Sequence, residues 1–178
     1  SGYEQYGRKM LDSFLAHWPD TQRILVYIEG ATLDTNHMNN NRIMVRNLNH
    51  VEKLTEFKDR HRDNPPANGF HPVGSTIRNY RFDAVRFSHK VYSVCHAARN
   101  TAADVLFWMD ADMVCHTPIG EDFMHTQVPA GVGLAYIGRE RKFSECGLYA
   151  MNLRDPVTQI WLQEFQLAYD SGRVMTMR

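Results

Sequence analysis

The chain has 178 residues, 43% of them hydrophobic, enough to bury the core of one domain but not of two large ones. Twenty Lys and Arg balance twenty Asp and Glu, so no overall field favours a nucleic acid or an anionic membrane surface, and any anion binding must be local. The three cysteines are odd in number and form no CxxC pair, which argues against a disulfide framework or a cysteine-based zinc site and fits a reducing compartment. No apolar run approaches the roughly 18 residues that span a bilayer, and the polar start SGYEQYGRK is unlike a secretory signal. A soluble, cytoplasmic protein with no membrane span and no nucleic-acid partner is expected.

Along the chain, residues 4–17 place Tyr6, Met10, Phe14 and His17 on one helical stripe, with Leu11 and Leu15 widening it. HWPD ends that helix. RILVYIEG is then short, apolar and β-branched and closes on an acid and a glycine, the pattern of a buried parallel strand meeting its loop. The asparagine-rich TLDTNHMNNN predicts an exposed loop, because these side chains compete for backbone hydrogen bonds, and RIMVRNL (42–48) a second strand. Residues 50–62 form a charged helix, which RDNPPANGFHPVG breaks. From Thr76 to Asn100 the period is helical again, with Ile77, Tyr80, Val85, Tyr92, Cys95 and Ala98 near one face. The apolar strand DVLFWM follows, then a turn at HTPIGEDF, a strand at GVGLAYIG, a strand or hairpin arm near CGLYAMNL and a helix over 156–169. Strands alternating with helices imply a layered α/β fold with a mostly parallel central sheet flanked by helices, in a single domain.

The strand VLFWM runs straight into Asp110 and Asp112. Continued as a strand, it would point both carboxylates to one side and Ala111 to the other. Two like charges sharing a spot repel, and a hard divalent cation such as magnesium or manganese relieves them through carboxylate oxygens while keeping positions open for water or substrate phosphate. The carboxyl end of a parallel strand is also where open α/β sheets bind nucleotides. Arg86 and Lys90, four residues apart on the preceding helix, repel each other by roughly 0.2 to 0.5 kcal/mol unless an anion lies between them, and suit a diphosphate clamp as well as they suit a solvated helix face. Arg78 and Arg81 read as surface charges. Histidines 89, 96, 116 and 125 have no metal-ligand spacing with the aspartates and read as structural.

The order of parts, YGRKMLDSFLAHWP, ILVYIEG, NYRFDAVRFSHKVYSV and DVLFWMDAD, resembles the nucleotide-diphospho-sugar glycosyltransferases of the GT-A fold over most of the chain. The resemblance implies a divalent ion, Mn2+ or Mg2+, gripping the diphosphate of a nucleoside-diphosphate sugar, with Asp110 near the ribose and metal and Asp112 on the metal. It implies that Glu29 contacts base or ribose, and that GVGLAYIG and SECGLYAMNL build the side that receives a glycan, protein or small-molecule acceptor. Glu145 is the acid placed there for general-base work on an acceptor hydroxyl or for holding the sugar, while Cys146 and Gly147 shape the backbone. Against that pattern the chain lacks an opening strand and a C-terminal continuation, so a domain short of both ends is expected.

The string VLFWMDADMV also satisfies the haloacid-dehalogenase phosphatase pattern, with Asp110 as nucleophile and Asp112 as general acid–base. That family sets the motif on an early strand and needs a later lysine and acidic pair, whereas here only Lys142 follows and no close aspartate pair does. A nucleotidyltransferase would show a glycine- and basic-rich phosphate loop near the N-terminus, and none is visible. The carboxylates alone do not separate it from a glycosyltransferase, so it stays an alternative beside the phosphatase, and a non-catalytic nucleotide-binding module of the same fold is a third.

Overall fold

The computed structural model describes residues 2–70 and 73–176, a mixed α/β structure whose contacts divide it into two units: Ser1–Arg46 with Ala102–Gln159, and Asn47–Thr101 with Ile160–Arg178. The first unit opens on helix α1 (Gly2–His17), whose inward stripe is Met10, Leu11 and Phe14, all buried. Tyr6, expected on that stripe, is 53% exposed, so the buried face starts one turn later. Met10 and Leu11 meet Ile43 in a small core on which Leu15, Ile24, Val26 and Met109 pack. Sealing a side chain such as Leu11 from water is worth about 1.5 to 3 kcal/mol.

Strands β1 (Ile24–Ile28) and β2 (Ile43–Asn47) form a parallel pair, entered by the Ile24 amide donating to the Arg42 carbonyl at 2.8 Å. The loop between them is not wholly open. Asp34 caps a single helical turn, α2 (Thr35–Met38), by accepting from the His37 amide at 3.1 Å, and His37 is buried. The imidazole lies between two acids, 2.8 Å from Asp34 Oδ2 and 2.9 Å from Asp12 Oδ1, so it ties the loop to α1. The His37 amide and ring hold the Asp34 carboxyl below its ordinary value.

Strands β3 (Val105–Met109), β4 (Leu134–Ile137) and β5 (Glu145–Asn152) form a second sheet in the order β3-β5-β4, antiparallel throughout. The expected mostly parallel central sheet is therefore corrected: among the described residues the parallel pairing is confined to β1 and β2. An apolar run such as VLFWM carries no signal for the direction of its neighbour, and here that neighbour is β5, returning from the β4 hairpin. A short helix, α5 (Phe123–Gln127), precedes β4, and Phe123 packs edge-on against Trp18 at 5.7 Å. Helix α6 (Pro156–Asp170) starts under a cap from Asp155, which accepts from the Val157 amide at 2.8 Å, with proline at the first helical position.

In the second unit, α3 (Glu52–His61) buries Leu54 and Phe57. Helix α4 (Ala84–Arg99) begins eight residues later than its sequence period suggests. Asn79 accepts from the Arg81 amide at 3.1 Å and Asp83 from the Arg86 amide at 3.0 Å, so residues 79–83 satisfy their backbone through side chains and leave Ile77 and Tyr80 exposed. His71 and Pro72 of the expected break lie outside the described residues. The core is aromatic: Phe57 sits 5.7 Å from Tyr92 and 5.6 Å from Tyr169, in the tilted geometries that such rings prefer. The Tyr92 hydroxyl donates to Asp170 at 2.7 Å, and burial, then that bond, push its ionisation far up. All three cysteines are free thiols, and burial pushes Cys95 up to about 11, which makes it unreactive. No helix among the described residues is long and apolar enough to cross a membrane.

Candidate functional site

The antiparallel pairing of β3 with β5 decides which residues meet. In the ladder Trp108 opposes Tyr149 and Met109 opposes Leu148. The pairing runs one step further, with the Asp110 amide donating to the Gly147 carbonyl at 2.8 Å. The carboxyl end of β3 thus abuts the opening of β5, and Asp110 is set beside Glu145 and Gly147.

Gly147 is buried, and the space where a Cβ would stand is shared. That point lies 3.3 Å from Glu145 Oε1, 3.4 Å from Met113 Sδ and 3.5 Å from Asp110 Oδ2. Both carboxylates face one small volume that a glycine keeps open. Each is held from behind. Asp110 Oδ1 accepts from the Trp108 indole at 2.6 Å; Glu145 Oε1 accepts from the Gly147 amide at 3.0 Å, and Oε2 pairs with Arg139 at 3.0 Å. Arg139 also donates Nε to the Phe143 carbonyl at 2.8 Å, so one guanidinium closes the β4–β5 loop and orients Glu145.

The strand ends before the acid pair. Met109 is the last residue of β3, and the Met113 amide donates to the Asp110 carbonyl at 3.0 Å, closing a turn through Ala111 and Asp112. Strand alternation therefore does not set the relation between Asp110 and Asp112, contrary to the expectation from an extended DxD. Asp110 is half-buried, whereas Asp112 is exposed on the turn and shows no side-chain hydrogen bond or ion pair among the described residues. No group of three or more His, Cys, Asp or Glu gathers into a metal cluster among the described residues. A cavity of about 430 Å³ lies elsewhere, between α1 and the segment after the turn, lined by Lys9, Asp12, His17, Cys115 and His116. Its size does not locate the chemistry, because the Asp110–Glu145 convergence lies outside its lining.

Glu29, just past β1, is exposed. Arg86 and Lys90 are one turn apart on α4 in the second unit, and neither is without a partner. Of the residues singled out from sequence, the structure brings Asp110 and Glu145 to one point. Trp108, Arg139 and Met113 were not singled out. Trp108 had a signal, standing two residues before Asp110 on the same strand face; Arg139 had none, since its role depends on a loop closing on itself.

No protein-family model matches the chain, and no curated protein and no solved structure matches it.

Proposed function

We propose that the chain is a metal-dependent glycosyltransferase domain of GT-A type, moving a sugar from a nucleoside-diphosphate donor to an acceptor hydroxyl, in the cytoplasm. The observation that carries this reading is the convergence of Asp110 Oδ2 and Glu145 Oε1 over Gly147, at the end of the strand that leads into Asp112. The donor set fits a hard divalent ion. Magnesium and manganese use one or two carboxylates and fill the remaining positions with water and substrate phosphates, so Asp110, with Asp112 two residues on, needs no third protein ligand, and Glu145 stays available to the substrate. Asp110 and Asp112 would hold the ion, which when bound neutralises charge on the departing nucleoside diphosphate.

The chain's own residues do the rest. Asp110 is anchored at its amide, its carbonyl and one carboxylate oxygen, so it reaches its ligand with little orientation left to lose. Glu145, turned by Arg139, faces the same volume as a hydrogen-bond acceptor for a hydroxyl of the sugar or of the acceptor, and in the second case takes its proton as the glycosidic bond forms. Glu29 would meet base or ribose.

The test is thermal. Manganese with uridine or guanosine diphosphate should raise the melting temperature of the intact protein, Asp112→Asn should abolish that rise, and a panel of sugar nucleotides should show metal-dependent hydrolysis. No coupling between metal and nucleotide in the wild type would refute the reading.

A further inference from the structure

We propose that Trp108 is the positioning residue that makes Asp110 a one-oxygen metal ligand and so sets which cation the site accepts; the inference rests on the reading of Asp110 as a ligand. An indole N–H only donates, and a carboxylate only accepts. The 2.6 Å contact to Oδ1 is therefore a charge-assisted hydrogen bond, the stronger kind. It has a fixed base. Trp108 opposes Tyr149 in the β3–β5 ladder and the two rings lie stacked, with centroids 6.5 Å apart and planes at 23°. The indole is therefore held by the sheet, not by the ligand. With Oδ1 fastened, the carboxylate turns Oδ2 toward the space over Gly147 and Glu145.

The coordination chemistry follows. Calcium takes six to eight oxygens and welcomes two from one carboxylate; magnesium and manganese favour near-octahedral sites in which each carboxylate gives one. An oxygen that already accepts an indole hydrogen keeps a lone pair but is the poorer and more crowded donor, so binding through Oδ2 alone is favoured over binding through both oxygens. Trp108 thus biases the site against the larger ion without touching any ion itself. The sequence carries the arrangement compactly, as a tryptophan, one spacer and an aspartate on a single strand face.

The decisive variant is Trp108→Phe, which keeps an aromatic ring against Tyr149 and removes the donor. Uridine diphosphate binding to the intact protein is followed against Mn2+ and, separately, Ca2+. The half-saturating Mn2+ concentration should rise about tenfold, as loss of a hydrogen bond to a charged group implies, and the preference for Mn2+ over Ca2+ should narrow, with binding restored at excess Mn2+. A merely structural tryptophan would not change cation preference. As a second measurement, the indole N–H resonances of Trp18, Trp108 and Trp161 are recorded in 15N-labelled wild type, with Asp110→Asn identifying the one that senses residue 110. On adding Mg2+ with uridine diphosphate, that resonance should move and the other two should stay. An unaltered metal profile in a folded Trp108→Phe, or an indole resonance that ignores Mg2+ while the wild type binds nucleotide, overturns the role of Trp108 and leaves the transferase reading standing. A wild type that couples no metal to nucleotide overturns both.

Discussion

Arg42 carries the most demanding stability prediction. It is 8% exposed, yet its guanidinium is fully engaged: Nε donates to the Gln22 carbonyl at 3.1 Å, Nη1 to Leu15 at 3.3 Å, and Nη2 to Trp18 at 2.9 Å and Pro19 at 2.8 Å. Those oxygens belong to the last turn of α1 and the chain leaving it, where carbonyls have no helical partner and the helix end is partly negative. The Phe14 ring lies 4.8 Å below the guanidinium carbon. The ion pair to Asp20 Oδ1 at 3.0 Å is the smaller part, since the Asp20 side chain is 98% exposed and solvated. Arg42→Met should cost about 3 to 5 kcal/mol, the range for removing one partner of a buried charged network. Asp20→Ala should cost less than about 1 kcal/mol. Arg42→Lys keeps the charge but not the fork, and should fall between the two. Urea unfolding followed by tryptophan fluorescence reads all three. An Asp20→Ala cost equal to that of Arg42→Met would show that the ion pair, not the carbonyl cap, is what matters, and would refute the argument.

Other outcomes are sharp enough to measure. Gly147→Ala puts a methyl 3.3 Å from Glu145 Oε1, so it should weaken manganese-dependent nucleotide protection severalfold while costing less than about 1.5 kcal/mol in urea. Gly133→Ala is different: its Cβ would stand 2.7 Å from Asp155 Oδ1 and 3.0 Å from Thr158 Oγ1, and a loss of about 1 to 3 kcal/mol in the same assay is expected. Asp155→Ala removes the α6 cap and should cost about 1 kcal/mol. The His37 amide and ring depress the Asp34 carboxyl below its ordinary 3.8, so its contribution is present above that pH and is lost as pH falls through the lower folded value. Asp34→Asn keeps a capping oxygen but cannot titrate, and should flatten the acid limb of a stability–pH curve; an unchanged limb would show that Asp34 takes no part in acid unfolding.

What the sequence disclosed depended on how local the cause was. The run VLFWM, the helix expected over 156–169 and the inward stripe Met10, Leu11, Phe14 are legible because side-chain period and burial decide them within a few residues. The direction of β5 beside β3 was not, since both pairings bury the same apolar residues. The start of α4 was misplaced because Asn79 and Asp83 offered the backbone a better bargain than another helical turn. His37 lies in a segment whose composition predicts an exposed loop; its burial depends on two acid partners, Asp34 in its own cap and Asp12 on another helix. For the candidate site, Asp110 and Glu145 were each chosen from local context; their meeting over Gly147 is tertiary, and so is the guanidinium of Arg139 behind them.

The β3–β5 ladder has a further consequence for how such a site can vary. Because the β3–β5 pairing sets the register of the acids and Arg139 fixes the rotation of Glu145, residues can be added or removed within 140–142 while the two acids keep their places. One residue gained or lost inside 146–149 would swing the opposite face forward and part them. The hairpin tip is thus open to drift in length, while the strand beneath it is held to a fixed count.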